Sequence, residues 1–188
     1  MADVARRPRA DALRNRERLI DAAKAAFGEV GPDVSLEEIA RRTGVGIGTL
    51  YRHFPTRDAI IEAVYRREVD QLAAAARSLL AEVRPAEAFS RWLHLSLDYL
   101  ATKRLIVPAL GTLTGGASAL YAHSGASLQE AIELLVGAGI AAGEIRPDVQ
   151  ASDLFPVFSG LAAGVSAPGW KESADRLIDI VMVGLARR

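Results

Sequence analysis

The chain has no cysteine. That excludes disulfides, thiol catalysis and thiolate metal sites, and it fits a reducing compartment, here expected to be the cytoplasm. Only three histidines are present. There is no His-Glu-x-x-His pair, no nucleophile elbow and no phosphate-binding glycine loop with its lysine, so no catalytic residue, resident metal or cofactor is expected. Charge of one sign is missing too: 23 Lys and Arg balance 23 Asp and Glu. A uniformly basic coat for nucleic acid is excluded, but a local patch is not. No apolar run approaches the ~20 residues needed to cross a bilayer. The first residues, MADVARRPRADALRNRER, are charged and lack an apolar signal region, so neither secretion nor a membrane partner is expected. Period-2 alternation is scarce and alanine and leucine outnumber β-branched residues in most segments, which argues against strands.

Half of the 188 residues are hydrophobic, enough for one large or two small domains with a real core. Charge is unevenly placed. Residues 1–57 hold eleven Lys and Arg against eight Asp and Glu, and residues 58–188 hold twelve against fifteen. The basic excess points the N-terminal end at an anionic partner. Arg6, Arg7 and Arg9 around Pro8 read as a disordered basic arm, or as a merely solubilising tail.

The pattern predicts an all-α chain of about nine helices. The first spans about Asp11–Val30, with Leu19, Ile20, Ala23, Phe27 and Val30 on one face. Gly31 and Pro32 stop it. Ser35 and Glu38 form a capping-box pattern for a second, short helix that Gly44 ends. A third helix covers about Gly46–His53, with Val45, Ile47, Leu50 and Phe54 directed inward. A fourth starts after Pro55 with Thr56 as cap and runs to about Glu82. Five more follow: Ala86–Thr102, Leu105–Leu110 around Pro108, Ala119–Ala142, one capped by Asp148 or Ser152 and reaching about Val165, and Glu172–Ala186.

Two short helices joined by a glycine turn and packed on a third make a helix-turn-helix, whose second short helix enters the DNA major groove. Gly44 suits the sharp turn, where a positive φ costs glycine little. Gly46 and Gly48 keep the front of the recognition helix narrow enough to approach DNA. Thr49, Tyr51, Arg52 and His53 then face outward. Thr49 can bond a phosphate or touch a thymine methyl, and Tyr51 and His53 can reach phosphates. Arg52 can fork onto a guanine edge or neutralise a phosphate. Arg57 adds a cation at the next helix start. Ser35, Arg41, Arg42, Thr43, Gly46, Gly48 and the basic arm complete the expected DNA-facing set, together with Val45 and Ile47, which sit at the start of the recognition helix as well as facing inward.

With Phe27 and Gly31 ahead of it, SLEEIARRTGVGIGTLYRHFPTRDAI resembles the N-terminal signature of TetR-type transcriptional regulators. The match covers about residues 12–70. It includes the Ala-Ala-x-x-x-Phe helix, the Ile-Ala-x-x-x-Gly-Val core and the Gly-Thr-Leu-Tyr-x-His-Phe helix. Arg57 stands where the family often has lysine. The resemblance implies a DNA-binding domain at 1–57 and a ligand-binding and dimerisation bundle at 58–188. It further implies a homodimer on a near-palindromic double-stranded operator, acting as a repressor released by a small, largely apolar effector.

For that effector the aromatic and polar candidates are Phe89, Trp92, Leu93, Ser96, Tyr99, Tyr121, His123 and Phe155, though each could equally be core. For the dimer interface they are Phe158, Gly160, Leu161, Gly164, Leu177, Ile180, Val181 and Leu185, including a Gly160-x-x-x-Gly164 spacing. His94 and Asp98, four apart, could be a hydrogen-bonded pair, a ligand anchor or half a metal site. Two other readings stay open: an architectural DNA binder with no effector, and a helical enzyme or carrier with a vestigial head.

Overall fold

Arg6 already lies in a helix. In the computed structural model, which describes residues 6–187 apart from 32, 112, 115, 162–164 and 166, helix α1 spans Arg6–Glu29. The segment read as a disordered arm is therefore helical backbone. Pro8 sits in the first turn, where a missing N–H costs nothing. The remaining helices are α2 (Leu36–Thr43), α3 (Ile47–His53), α4 (Arg57–Glu82), α5 (Pro85–Leu110), α6 (Ser118–Ala141), α7 (Ala151–Leu161) and α8 (Trp170–Leu185). The described residues contain no strand, only an isolated bridge between Ile145 and Ala186.

Among the described residues the expected nine helices become eight, because Ala86–Thr102 and Leu105–Leu110 are one helix. Pro108 lies inside α5, two residues before its end. A proline there removes one hydrogen bond near a terminus that is about to fray, so the helix tolerates it. Helix α7 begins at Ala151, between the two expected caps. Asp148 instead receives Arg146, its carboxylate taking Nε at 2.7 Å and Nη2 at 2.5 Å.

The chain divides into two compact units. Met1–Arg66 joins Leu105–Ala117 in the first, and Arg67–Arg104 joins Ser118–Arg188 in the second. Segment 105–117, assigned from sequence to the C-terminal domain, thus clusters with the head.

In the first unit, α1 packs on α2 and α2 on α3. Leu19, Ile20, Ala23, Ala26 and Phe27 recur at helical spacing on α1 and are buried with Leu36, Ile39 and Ala40 of α2, Leu50 of α3 and Phe54. Each large side chain buried in this way stabilises the head by roughly 1.5–3 kcal/mol relative to exposure. Val30, expected on the same face, is exposed because α1 ends at Glu29.

In the second unit, Trp92 is fully buried, donates Nε1–H to the Leu72 carbonyl at 2.7 Å and lies 5.7 Å from the Phe158 ring centre. Just past the end of α6, Gly143 adopts φ +70° and Glu144 N–H donates to the Gly139 carbonyl, the wrap of a Schellman cap. The wrap drives Ile145 onto the helix. A Cβ built at Gly139 would stand 2.5 Å from Ile145 Cδ1. Gly139→Ala is therefore expected to cost about 1–3 kcal/mol through overpacking despite its better helix propensity, read as a lower urea midpoint. An unchanged midpoint would show that Ile145 relaxes freely.

Candidate nucleic-acid interface

The turn between α2 and α3 is built as its residues require. Ser35 Oγ accepts the Glu38 backbone N–H at 3.2 Å and caps α2. Gly44 adopts φ +67°, its N–H donates to the Arg41 carbonyl, and Val45 N–H donates to the Ala40 carbonyl. Both bonds belong to a Schellman cap, so glycine at 44 answers a backbone need. Thr43 is buried and donates its hydroxyl to the Ala40 carbonyl at 2.8 Å, which spends it on the turn. At the far side, Thr56 Oγ1 accepts Ala59 N–H and starts α4, as its sequence position suggests.

Glu38 does not complete the capping box. Its carboxylate is instead held by Arg41, through Nε and Nη2 at 2.8 Å, and by Arg42 Nε at 2.9 Å. Arg42 Nη1 also binds Glu29 of α1 at 2.7 Å. The Arg41 and then the Arg42 hydrogen bonds lower the Glu38 pKa from 4.5 to about 2. A depressed carboxylate contributes stability that is fully present above the unfolded value and lost as pH falls through the folded one. Glu38→Gln is therefore expected to lower the melting temperature at pH 7, and the gap to wild type should close as pH falls from about 4.5 towards about 2. Parallel curves across that range would mean the pairs contribute nothing.

Other basic side chains near the turn are also spent inside the head. Arg18 Nη2 donates to the Thr43 carbonyl at 2.7 Å. Arg16 stacks over Phe54, 5.2 Å from the ring centre. Arg57, expected on a phosphate, is half-buried and donates Nη1 to the Val34 carbonyl, fastening the loop before α2 to the start of α4. These bonds span 25 and 23 residues, beyond the reach of any local pattern.

What remains exposed is the front of α3. Gly46 and Gly48 are exposed, Tyr51 and Arg52 are exposed, Thr49 and His53 are half-buried, and Leu50 closes the core behind them. Ile47, expected inward, is 38% exposed, while Val45 is half-buried. A seven-residue helix has two turns, and its one fully buried position is Leu50. A Cβ added at Gly46 or Gly48 meets nothing within 4 Å, and neither residue has a positive φ. Glycine inside a helix costs about 1 kcal/mol relative to alanine. The head itself gives no reason for glycine at 48. The arrangement offers a slim, exposed helix front bordered by an arginine, two hydroxyl groups and an imidazole, a shape and chemistry suited to a groove lined with phosphates.

The C-terminal candidates separate clearly. Phe89, Trp92, Leu93, Ser96 and Tyr99 are buried, and Ser96 donates its hydroxyl to the Leu93 carbonyl at 2.5 Å. Phe155 is half-buried, and Tyr121 and His123 are exposed. Phe89 and Leu93 line an apolar cavity of only about 10 Å³, together with residues of α7 and α8. Phe158, Leu161 and Leu185 lie in the protomer's core, Val181 is half-buried, and Gly160, Leu177 and Ile180 are exposed. Gly164 lies outside the described residues. His94 and Asp98 do not pair with each other: His94 Nδ1 lies 2.8 Å from the Ser90 carbonyl and Asp98 holds Lys171 Nζ at 2.7 Å. No group of three or more metal-binding side chains occurs among the described residues, nor is any described helix long and apolar enough to cross a membrane.

Comparison with known proteins matches both parts of the chain. Residues 19–64 match the family described as bacterial regulatory proteins, tetR family, and residues 84–187 match the family described as transcriptional regulator SbtR-like, C-terminal domain. An HTH-type transcriptional regulator of Staphylococcus aureus strain USA300 is 40% identical over 63 residues, 33% of this chain and 34% of that protein. The match to such curated relatives thus spans about a third of their length. Along the whole chain, the solved structure of a TetR transcriptional regulator from Streptomyces coelicolor superposes with a TM-score of 0.82 at 42% identity, covering 92% of this chain and 98% of that one. A TetR transcription regulatory protein from Mycobacterium vanbaalenii gives 0.77 at 32% identity, covering 95% and 98%. With the head and the bundle matched separately, and solved relatives aligned along nearly all of its length, this chain belongs to the TetR family of helix-turn-helix transcriptional regulators, which are not enzymes.

Proposed function

We propose that the protein is a cytoplasmic, homodimeric repressor that holds a near-palindromic operator and releases it when a small, largely apolar effector binds the C-terminal unit. The observation that carries the DNA-binding part is the front of α3. Gly46 and Gly48 are open to solvent without internal need, beside exposed Tyr51 and Arg52, while Arg18, Arg42 and Arg57 are engaged within the head. Ser35, Arg41, Thr43 and Arg57 then act by holding α2 and the turn in shape, and Thr49, Tyr51, Arg52 and His53 act on the duplex.

Dimerisation is supported by α7 and α8, which leave Val157, Leu177, Ile180 and Val183 exposed, Ile180 at 66% and Val183 at 78%. Apolar surface of that kind on neighbouring helices favours burial against a second copy. Two heads then address two half-sites about one helical turn apart, or a multiple of it. Release by an effector requires that the two sites be coupled, and the coupling must act in both directions.

One observation favours a second reading, a regulator with no effector. The apolar cavity beside Phe89 and Leu93, about 10 Å³, is far below the roughly 300–1,000 Å³ of a ligand pocket. Effector entry would therefore have to open the packing around Phe89 and Leu93.

Enrichment of duplexes from a randomised library by the full chain, with light scattering on the same sample, tests the proposal. The expected result is a dimer that selects an inverted repeat. A monomer, or binding equal for all sequences, would overturn it. Small apolar compounds that raise the melting temperature should lower affinity for the selected duplex by the same coupling. Stabilising compounds that leave duplex affinity unchanged would favour the second reading.

A further inference from the structure

We infer that Ile47 is a sequence-reading residue that recognises the C5-methyl group of a thymine in each half-site; the inference rests on the DNA-binding reading above. Ile47 is the first residue of α3 and 38% exposed, although the head has a well-filled core beside it. Its neighbours on both sides are glycines with open space around them. Over the three positions 46–48, Ile47 is thus the only side chain the front of the helix projects. Tyr51 lies one turn further on, on the same face, and is also exposed.

The chemistry narrows the target. An isoleucine side chain neither donates nor accepts a hydrogen bond. Among the groups on the floor of the major groove, only the thymine methyl gains from its contact, whereas the amino groups and ring nitrogens of the other bases would lose water without a partner. The flanking glycines let the backbone come close enough for a short, branched side chain to reach that floor. Thr49, the other residue able to touch a methyl, is half-buried and less accessible.

The test uses the full chain and the duplexes it enriches, resynthesised with deoxyuridine replacing each thymine in turn. Deoxyuridine differs only in lacking the methyl. Wild type is expected to lose about three- to fivefold in affinity at one thymine per half-site, the scale of burying one methyl group. Ile47→Ala should bind the thymine and uracil forms equally, and Ile47→Val, which keeps a branch, should retain most of the discrimination. Circular dichroism and melting of both variants verify the fold. Equal methyl sensitivity in wild type and Ile47→Ala would overturn the inference, as would no sensitivity at any thymine. Failure of wild type to enrich any duplex would instead overturn the DNA-binding reading, and this inference with it.

Discussion

Gly48→Glu is expected to leave the protein folded, with an unchanged or higher melting temperature, while reducing duplex binding by at least about a hundredfold. The two halves of that expectation have separate causes. An added Cβ at 48 meets no atom within 4 Å, and the residue lies inside α3 at an ordinary helical φ. Replacing a glycine inside a helix recovers up to about 1 kcal/mol. On the duplex, the same substitution places bulk and negative charge where the backbone must approach phosphates, and like charges at an interface cost several kcal/mol. Gly48→Ala should show a weaker form of the same opposition. Thermal melting and a binding titration at fixed salt decide it. Loss of stability in step with loss of binding would mean that glycine serves the fold after all.

Trp92→Ala carries the largest expected loss of stability, about 3–5 kcal/mol. The indole is fully buried, packs at 5.7 Å against Phe158 and ties α5 to α4 through the Leu72 carbonyl. Truncation removes its burial and leaves a cavity beside Phe158. Trp92→Phe keeps one aromatic ring but loses the indole N–H and its hydrogen bond, at about 1 kcal/mol for the bond. Urea unfolding followed by circular dichroism should show the alanine variant's transition far earlier and the phenylalanine variant between it and wild type. An alanine variant within about 1 kcal/mol of wild type would mean that the packing around position 92 closes over the gap.

Much of this architecture was legible from local chemistry. Ser35, Gly44 and Thr56 cap and terminate helices where their types suggest, because caps act within four residues. The buried face of α1 followed from spacing alone. Two kinds of feature resisted. Contacts between distant elements, such as Arg42 with Glu29 or Arg57 with the Val34 carbonyl, leave no periodic trace, so sequence alone does not show that these basic residues tie the head together. In α3, two helical turns give too few positions for a period to separate inside from outside, so Ile47 reads both as core and as DNA-facing, and only the structure shows it exposed while Leu50 fills the core. Pro108 misled for a related reason: its effect depends on how near the helix end lies, and α5 ends only two residues later. For the effector site, burial in the core of the second unit accounts for Phe89, Trp92, Leu93, Ser96 and Tyr99 without a ligand.

The central claim is that the exposed front of α3 enters the major groove, once in each of two symmetric half-sites. Methylation interference on the enriched duplex tests it most directly, because methyl groups on guanine N7 block the major groove and those on adenine N3 block the minor groove. Interference at guanine N7 in two symmetric clusters on one face of the duplex is expected, abolished together with binding in Gly48→Glu. Interference confined to adenine N3, or a single cluster with no symmetric counterpart, would contradict it.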